Sequence, residues 1–148
     1  MIEAKLNASN KTVPRSKNPL VKKKYVAEGC EWYADVFKSD FETAAIGEQK
    51  YELLRFWLLG SWMAQNQNLR FFLVDLVPEA KEKDIETQFK RHIRENANRL
   101  FLRSTWEDIY RLIQETDNRK KRLMLDYFEN KTVGYNREGN LQRAFSEL

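Results

Sequence analysis

Cysteine and histidine are almost absent, with one of each in 148 residues, Cys30 and His92. A lone cysteine closes no internal disulfide. The two residues together cannot build a zinc knuckle, which needs several thiolates or imidazoles at fixed spacing. Any Ser-His-Asp or Cys-His site would have to use His92, which lies in the polar helical pattern Arg91-His92-Ile93 and reads as an ordinary surface or core-edge histidine. Long apolar runs are missing too, and none approaches the ~20 residues of a membrane span. The N-terminal stretch carries charge but no apolar signal segment, so the cytoplasm is the expected compartment and no membrane partner is expected. The Asn-x-Ser/Thr triplets at Asn7, Asn10 and Asn130 are then chance matches. Gly47 and Gly60 belong to no phosphate-cradling loop, which argues against a nucleotide site.

What the chain does have is apolar and aromatic content: 42% hydrophobic and 13% aromatic residues, including four tryptophans, enough for a core in one domain of this length. The net charge of +4 is unevenly spread. Residues 1–24 hold seven Lys/Arg against the single acid Glu3, while 25–148 carry nineteen bases and twenty-one acids. This reads as a basic N-terminal arm (1–24) followed by one α/β domain (25–148). The high pI belongs to the arm and does not by itself establish a nucleic-acid-binding face.

Along the domain, Trp32–Phe37 and Thr43–Tyr51 are rich in β-formers and flank the turn residues Lys38-Ser39-Asp40, which predicts a hairpin. Helical spacing follows over 52–65, then the apolar run Arg70–Val77 closed by Pro78, read as a central strand covered on both faces. Helical spacing returns over 83–95, a short strand is expected at 100–102, and Ser104 competes with Thr105 to cap the helix that begins near Trp106. A last helix is expected over 119–129, with Gly134 and Gly139 punctuating the tail. Strands alternating with helices imply a mixed central sheet flanked by helices. Phe56, Trp57 and Trp62 recur at helical spacing and read as core rather than as a base-stacking platform.

The predicted hairpin carries the candidate chemistry. In a strand, residues i and i+2 share a face, so Glu48 and Lys50 project together, and Asp35 would bring a second carboxylate from the neighbouring strand. Two carboxylates at a wet sheet margin suit a hard divalent ion, magnesium or manganese, and a nearby ammonium can orient the attacking water on a phosphodiester. As a string, Glu-x-Lys is unspecific. It occurs at Glu3-Lys5, Glu48-Lys50, Glu79-Lys81 and Glu129-Lys131. The second is chosen because β-formers precede it and a helix, then an apolar strand, follow. Weaker candidates for phosphate contact are Lys22, Lys23 and Lys24, and Arg119, Lys120, Lys121 and Arg122, each equally readable as a solvated segment.

Asp35 followed thirteen residues later by Glu48-Gln49-Lys50, then a helix and the strand Arg70–Val77, resembles the PD-(D/E)xK nuclease superfamily. Ile46–Glu52, Trp106 and Lys131–Tyr135 are similar to restriction-endonuclease-like proteins of bacteria, and the likeness runs over roughly residues 30–145. The resemblance implies a restriction-endonuclease-like fold, with Asp35 and Glu48 as metal ligands and Lys50 as the catalytic lysine. It also implies DNA as substrate and, for cutting both strands, a homodimer. Ala34 stands where the family has proline, and only 34 residues precede Asp35, which implies an N-terminal part that is reduced, supplied by another chain, or missing; Glu28 or Glu31 would supply the acid the family often carries there. Two other functions remain open: a catalytically degenerate module binding nucleic acid or a protein partner, and an α/β interaction protein without nucleic acid.

Overall fold

The computed structural model describes residues 1–6, 9–15, 19–27, 31–117 and 119–145, the first three residues of the first helix as backbone only. Cys30, Glu28 and Asn7 lie outside the described residues. Three parallel strands, β1 (Ile2–Ala4), β2 (Phe71–Val77) and β3 (Arg99–Thr105), form a sheet in the order β1-β2-β3. Parallel neighbours need crossovers. The first consists of α1 (Pro19–Val26), α2 (Trp32–Val36), a π-helical segment (Glu42–Gly47) and α3 (Tyr51–Asn66); the second contains α4 (Ile85–Lys90). After β3 come α5 (Trp106–Glu115), α6 (Lys121–Asn130) and a separate antiparallel pair, β4 (Thr132–Tyr135) and β5 (Leu141–Arg143). The chain is thus α/β, but its main sheet is parallel rather than mixed. No helix among the described residues is long and apolar enough to cross a membrane.

The first part of the supposed arm is a structural strand. Ile2-Glu3-Ala4 pairs with Val74-Asp75-Leu76, and the Lys5 N–H continues the ladder to the Leu76 carbonyl at 2.8 Å. β2 is central, as expected, with Phe71, Leu73, Asp75 and Val77 buried on one face, while Phe72 and Val74 on the other are only half-buried. The fully covered face packs on α3 and α4. Trp57 lies 5.7 Å from the Phe71 ring, Phe89 lies 4.9 Å from Phe101, and the Trp57 indole N–H donates to the Val36 carbonyl at 3.0 Å. Gly60 is where α3 meets the sheet: a Cβ built there would lie 2.2 Å from the Phe71 ring. A second cluster, Tyr110, Ile113, Phe128 and Phe145, joins α5 and α6 to the C-terminal segment. Of the two candidate caps, Thr105 serves, in a reciprocal capping box with Asp108.

The predicted hairpin is helical. Tyr33, Val36 and Phe37 are buried at i, i+3, i+4, and Phe41, Ala44 and Ala45 repeat that spacing. Burial on a helical stripe overrides the β-preference of the same residues, which is a weak, context-dependent signal. Asp40 starts the second helix by accepting from the Thr43 N–H at 2.7 Å. Five-residue bonds, such as the Glu48 N–H to the Thr43 carbonyl at 2.9 Å, give it π character.

Candidate functional site

Because neither segment is a strand, the alternation that was to bring Asp35, Glu48 and Lys50 together is absent. Asp35 is exposed on α2, and among the described residues no hydrogen bond or ion pair joins it to Glu48 or Lys50. Glu48 follows the π segment and is held by Arg91 and, at 3.2 Å, by His92 Nε2. Burial pushes its carboxyl up, but the hydrogen bonds from Arg91 and His92 outweigh that and leave it below the ordinary value. Gln49 then takes a left-handed backbone (φ 57°), which turns Lys50 inward; it is 3% exposed and its ammonium pKa is lowered by burial, partly offset by Glu82 and Glu48. The strand face that was to bring Asp35 and Glu48 together is therefore not formed, and the carboxylate of Glu48 is engaged by Arg91 and His92.

His92 is a buried, core-edge histidine. Its Nδ1 lies 2.9 Å from Ser39 Oγ and its carbonyl accepts from the Lys38 N–H at 2.7 Å. Hydroxyl, imidazole and carboxylate stand in a row, yet the ring is 2% exposed and Glu48 is committed to Arg91. The row braces the 38–40 loop against the end of α4. Of the basic candidates, Lys22 pairs with Glu42 at 3.1 Å, while Lys23 and Lys24 are exposed on α1. Arg119 and Lys120 are exposed before α6, Lys121 is tied to the Gln114 carbonyl, and Arg122 pairs with Asp126 at 2.9 Å.

Charged and polar side chains converge instead at the carboxyl ends of β1 and β2. Glu3 and Lys5, two residues apart, share the face of β1 that continues as Asp75 and Arg103, because the register sets Glu3 beside Asp75 and Asp75 beside Arg103. Lys5 Nζ lies 3.3 Å from Glu3 Oε1 and 2.9 Å from Glu52 Oε2, and the residue is 7% exposed. Burial lowers its pKa, but Glu52 and Glu3 outweigh this and raise it, so the amine stays charged.

Asp75 is fully buried. Burial first, then Glu82 and Glu3, push its pKa up to about 6 against the opposing pull of Asn10 and Lys5. Asn10, also fully buried, donates through Nδ2 to Asp75 Oδ2 at 2.8 Å. Glu82, at φ 49°, accepts from the Asn10 N–H at 3.0 Å and the Ser9 hydroxyl at 3.1 Å. Two oxygens, Asp75 Oδ1 and Asn10 Oδ1, are buried with no hydrogen-bond partner. Three non-glycine residues have left-handed backbone, Gln49, Asn68 and Glu82, and of these Glu82 borders this cluster.

Beside Glu52 runs a groove of about 540 Å³ lined by Thr12, Pro14, Arg15, Tyr51, Glu52 and Arg55 among others. Among the described residues no group of three or more His, Cys, Asp or Glu is placed to hold a metal ion. The sequence held a usable signal for this site. Ile2-Glu3-Ala4-Lys5-Leu6 alternates apolar and charged residues with period two, the pattern of a half-buried strand. Comparison with protein-family models, with curated proteins and with solved structures finds no match to this chain.

Proposed function

We propose that the protein hydrolyses phosphodiester bonds in DNA with magnesium or manganese, and that its Glu-x-Lys pair is Glu3 and Lys5 on β1 rather than Glu48 and Lys50. This keeps the PD-(D/E)xK resemblance and moves its motif. One observation carries the reading. Of the Glu-x-Lys strings, this is the one whose acid lies on a strand at a sheet margin and whose amine follows it one residue past the strand end, still in the ladder, with a second carboxylate, Asp75, abreast on the next strand.

Glu3 and Asp75 would hold the ion, and a hard divalent cation supplies a Lewis acid for a phosphoryl oxygen and a site where water ionises near neutral pH. Lys5, kept charged by Glu3 and Glu52, presents a compact positive charge able to orient the water or offset charge gathering on the phosphate. Arg15 and Arg55, on the groove that Glu52 borders, supply cations for the flanking phosphates of a strand.

A second reading, a non-catalytic module that binds nucleic acid, draws on the closed ion pairs of Lys5, which leave its ammonium committed on two sides. Incubating supercoiled plasmid with the protein separates the two. The hydrolytic reading expects nicking or linearisation in magnesium or manganese and none in EDTA. Salt-sensitive DNA retention with no cutting in either metal would replace it by the second. No retention even at low salt would exclude both.

A further inference from the structure

Thr12 anchors one wall of the groove that Glu52 borders. Its N–H donates to the Gln49 carbonyl, its carbonyl accepts from the Tyr51 N–H at 3.1 Å, and its hydroxyl accepts from the Glu52 N–H at 2.9 Å. The wall of Thr12, Val13 and Pro14 is thereby tied to the start of α3, and the groove of about 540 Å³ is preformed. That volume lies within the ~300–1,000 Å³ of ordinary ligand sites, room for a nucleotide or so of one strand rather than for a duplex. The charges on the lining are Arg15 and Arg55 against Glu52, and Glu52 is itself answered by Lys5 at 2.9 Å. Both arginines are exposed, and among the described residues neither has an acidic partner.

Arg55 has an aromatic support as well as a charge. Its guanidinium lies 5.5 Å from the centre of the Tyr51 ring. Tyr51 is held in turn, with its hydroxyl 3.4 Å from that of Tyr25 and its ring edge-on to Tyr25 and Phe41. Guanidinium planes are a stacking surface for unpaired bases, whereas in a duplex those base faces are covered by their neighbours. Apolar Val13 and Pro14 beside two unpaired cations suit a ligand that is apolar and anionic at once, and a duplex backbone would use only the charge.

We infer that this groove holds a single, unpaired DNA strand, with Arg15 on a phosphate and Arg55, backed by Tyr51, against a base. The assignment rests on the hydrolytic reading for its choice of DNA and names the form of substrate that reading leaves open.

Binding of short fluorescent oligonucleotides to the full chain in EDTA, read by anisotropy, tests it without cleavage. The probes are a single strand, its duplex, and an abasic strand with the same phosphates. The single strand should bind about tenfold or more tighter than either of the others, the scale of one stacked base. Arg55→Lys, which keeps the charge and removes the plane, should bring the intact and abasic strands within about twofold of each other. Arg15→Gln should weaken both strands alike and flatten the dependence of log K on log salt by about 0.7, one phosphate contact on a single strand. Duplex or abasic strand bound as tightly as the intact strand, or an Arg55→Lys protein, folded by circular dichroism, that keeps the preference, would overturn the inference. So would tighter binding of an RNA strand of the same sequence. Strand preference in a protein that cuts no DNA with either metal keeps the groove and sinks the hydrolytic reading. Metal-dependent cutting without strand preference does the reverse.

Discussion

Replacing Asp75 by asparagine in metal-free protein isolates the cost of a buried, ionised carboxylate. The side chain is fully buried, and its pKa moves from 3.8 to about 6 on folding, burial being the main cause. An acid whose folded pKa is raised binds its proton more tightly in the native state, so it favours the fold at low pH and penalises it once ionised. The penalty is absent below the unfolded value and complete above the folded one. A shift of roughly two units at about 1.36 kcal/mol each amounts to about 3 kcal/mol. Asp75→Asn removes the charge, and its new amide can present an N–H to the orphan Asn10 Oδ1.

Other carboxylates change stability with pH in the opposite sense. Glu48, Asp40 and Asp108 have lowered pKa values and lose stability as acid protonates them, but they do so in both proteins. The informative quantity is therefore the difference between variant and parent. Urea unfolding in EDTA, followed by tryptophan fluorescence, should show a variant advantage that is near zero at about pH 4 and grows to about 3 kcal/mol by about pH 7. A difference that stays flat across that range would refute the reasoning.

Thr105→Ala removes the reciprocal cap of α5 and should cost about 1 kcal/mol in the same unfolding assay. Gly60→Ala drives a Cβ towards the Phe71 ring in a packed core, so destabilisation of about 1–3 kcal/mol is expected, with little change meaning that the ring moves freely. Lys50→Met replaces an ammonium whose pKa is lowered by burial. A folded state that disfavours the charged amine loses stability as pH falls through that lowered value, so the variant should melt above the parent at neutral pH and retain any cleavage.

The parts of the fold legible in the sequence are those whose burial follows one clear period. The run 70–77 and the helix 52–65 were recognisable because each is long and packs its apolar residues on a consistent face, and β2 and α3 fall within a residue or so of them. The segments 32–37 and 43–51 misled because tyrosine, valine, phenylalanine and threonine favour strands as types, while their spacing, i, i+3, i+4, is helical. Spacing reports which face meets the core; residue type does not. The expected hairpin site depends on the same segments, since a shared face of Glu48 and Lys50 exists only in a strand. The opposite error hid β1. Five alternating residues at the N-terminus were absorbed into a basic arm because seven cations in 24 residues dominated the view. Asn10 and Asp75 carried no sequence signal, since 65 positions separate them and the segment bearing Asn10 is held by Glu82 and by the Thr12 contacts with residues 49–51.

The central claim is that the chemistry sits on β1. It is tested most directly by the initial rate of magnesium-dependent plasmid cleavage for Glu3→Gln against Glu48→Gln, both shown by circular dichroism to be folded. The account predicts that Glu3→Gln loses about a hundredfold or more, the scale of removing one electrostatic stabiliser, while Glu48→Gln cuts at the parent rate. A Glu3→Gln protein that cuts as fast as the parent, or a Glu48→Gln protein that does not cut, would contradict it.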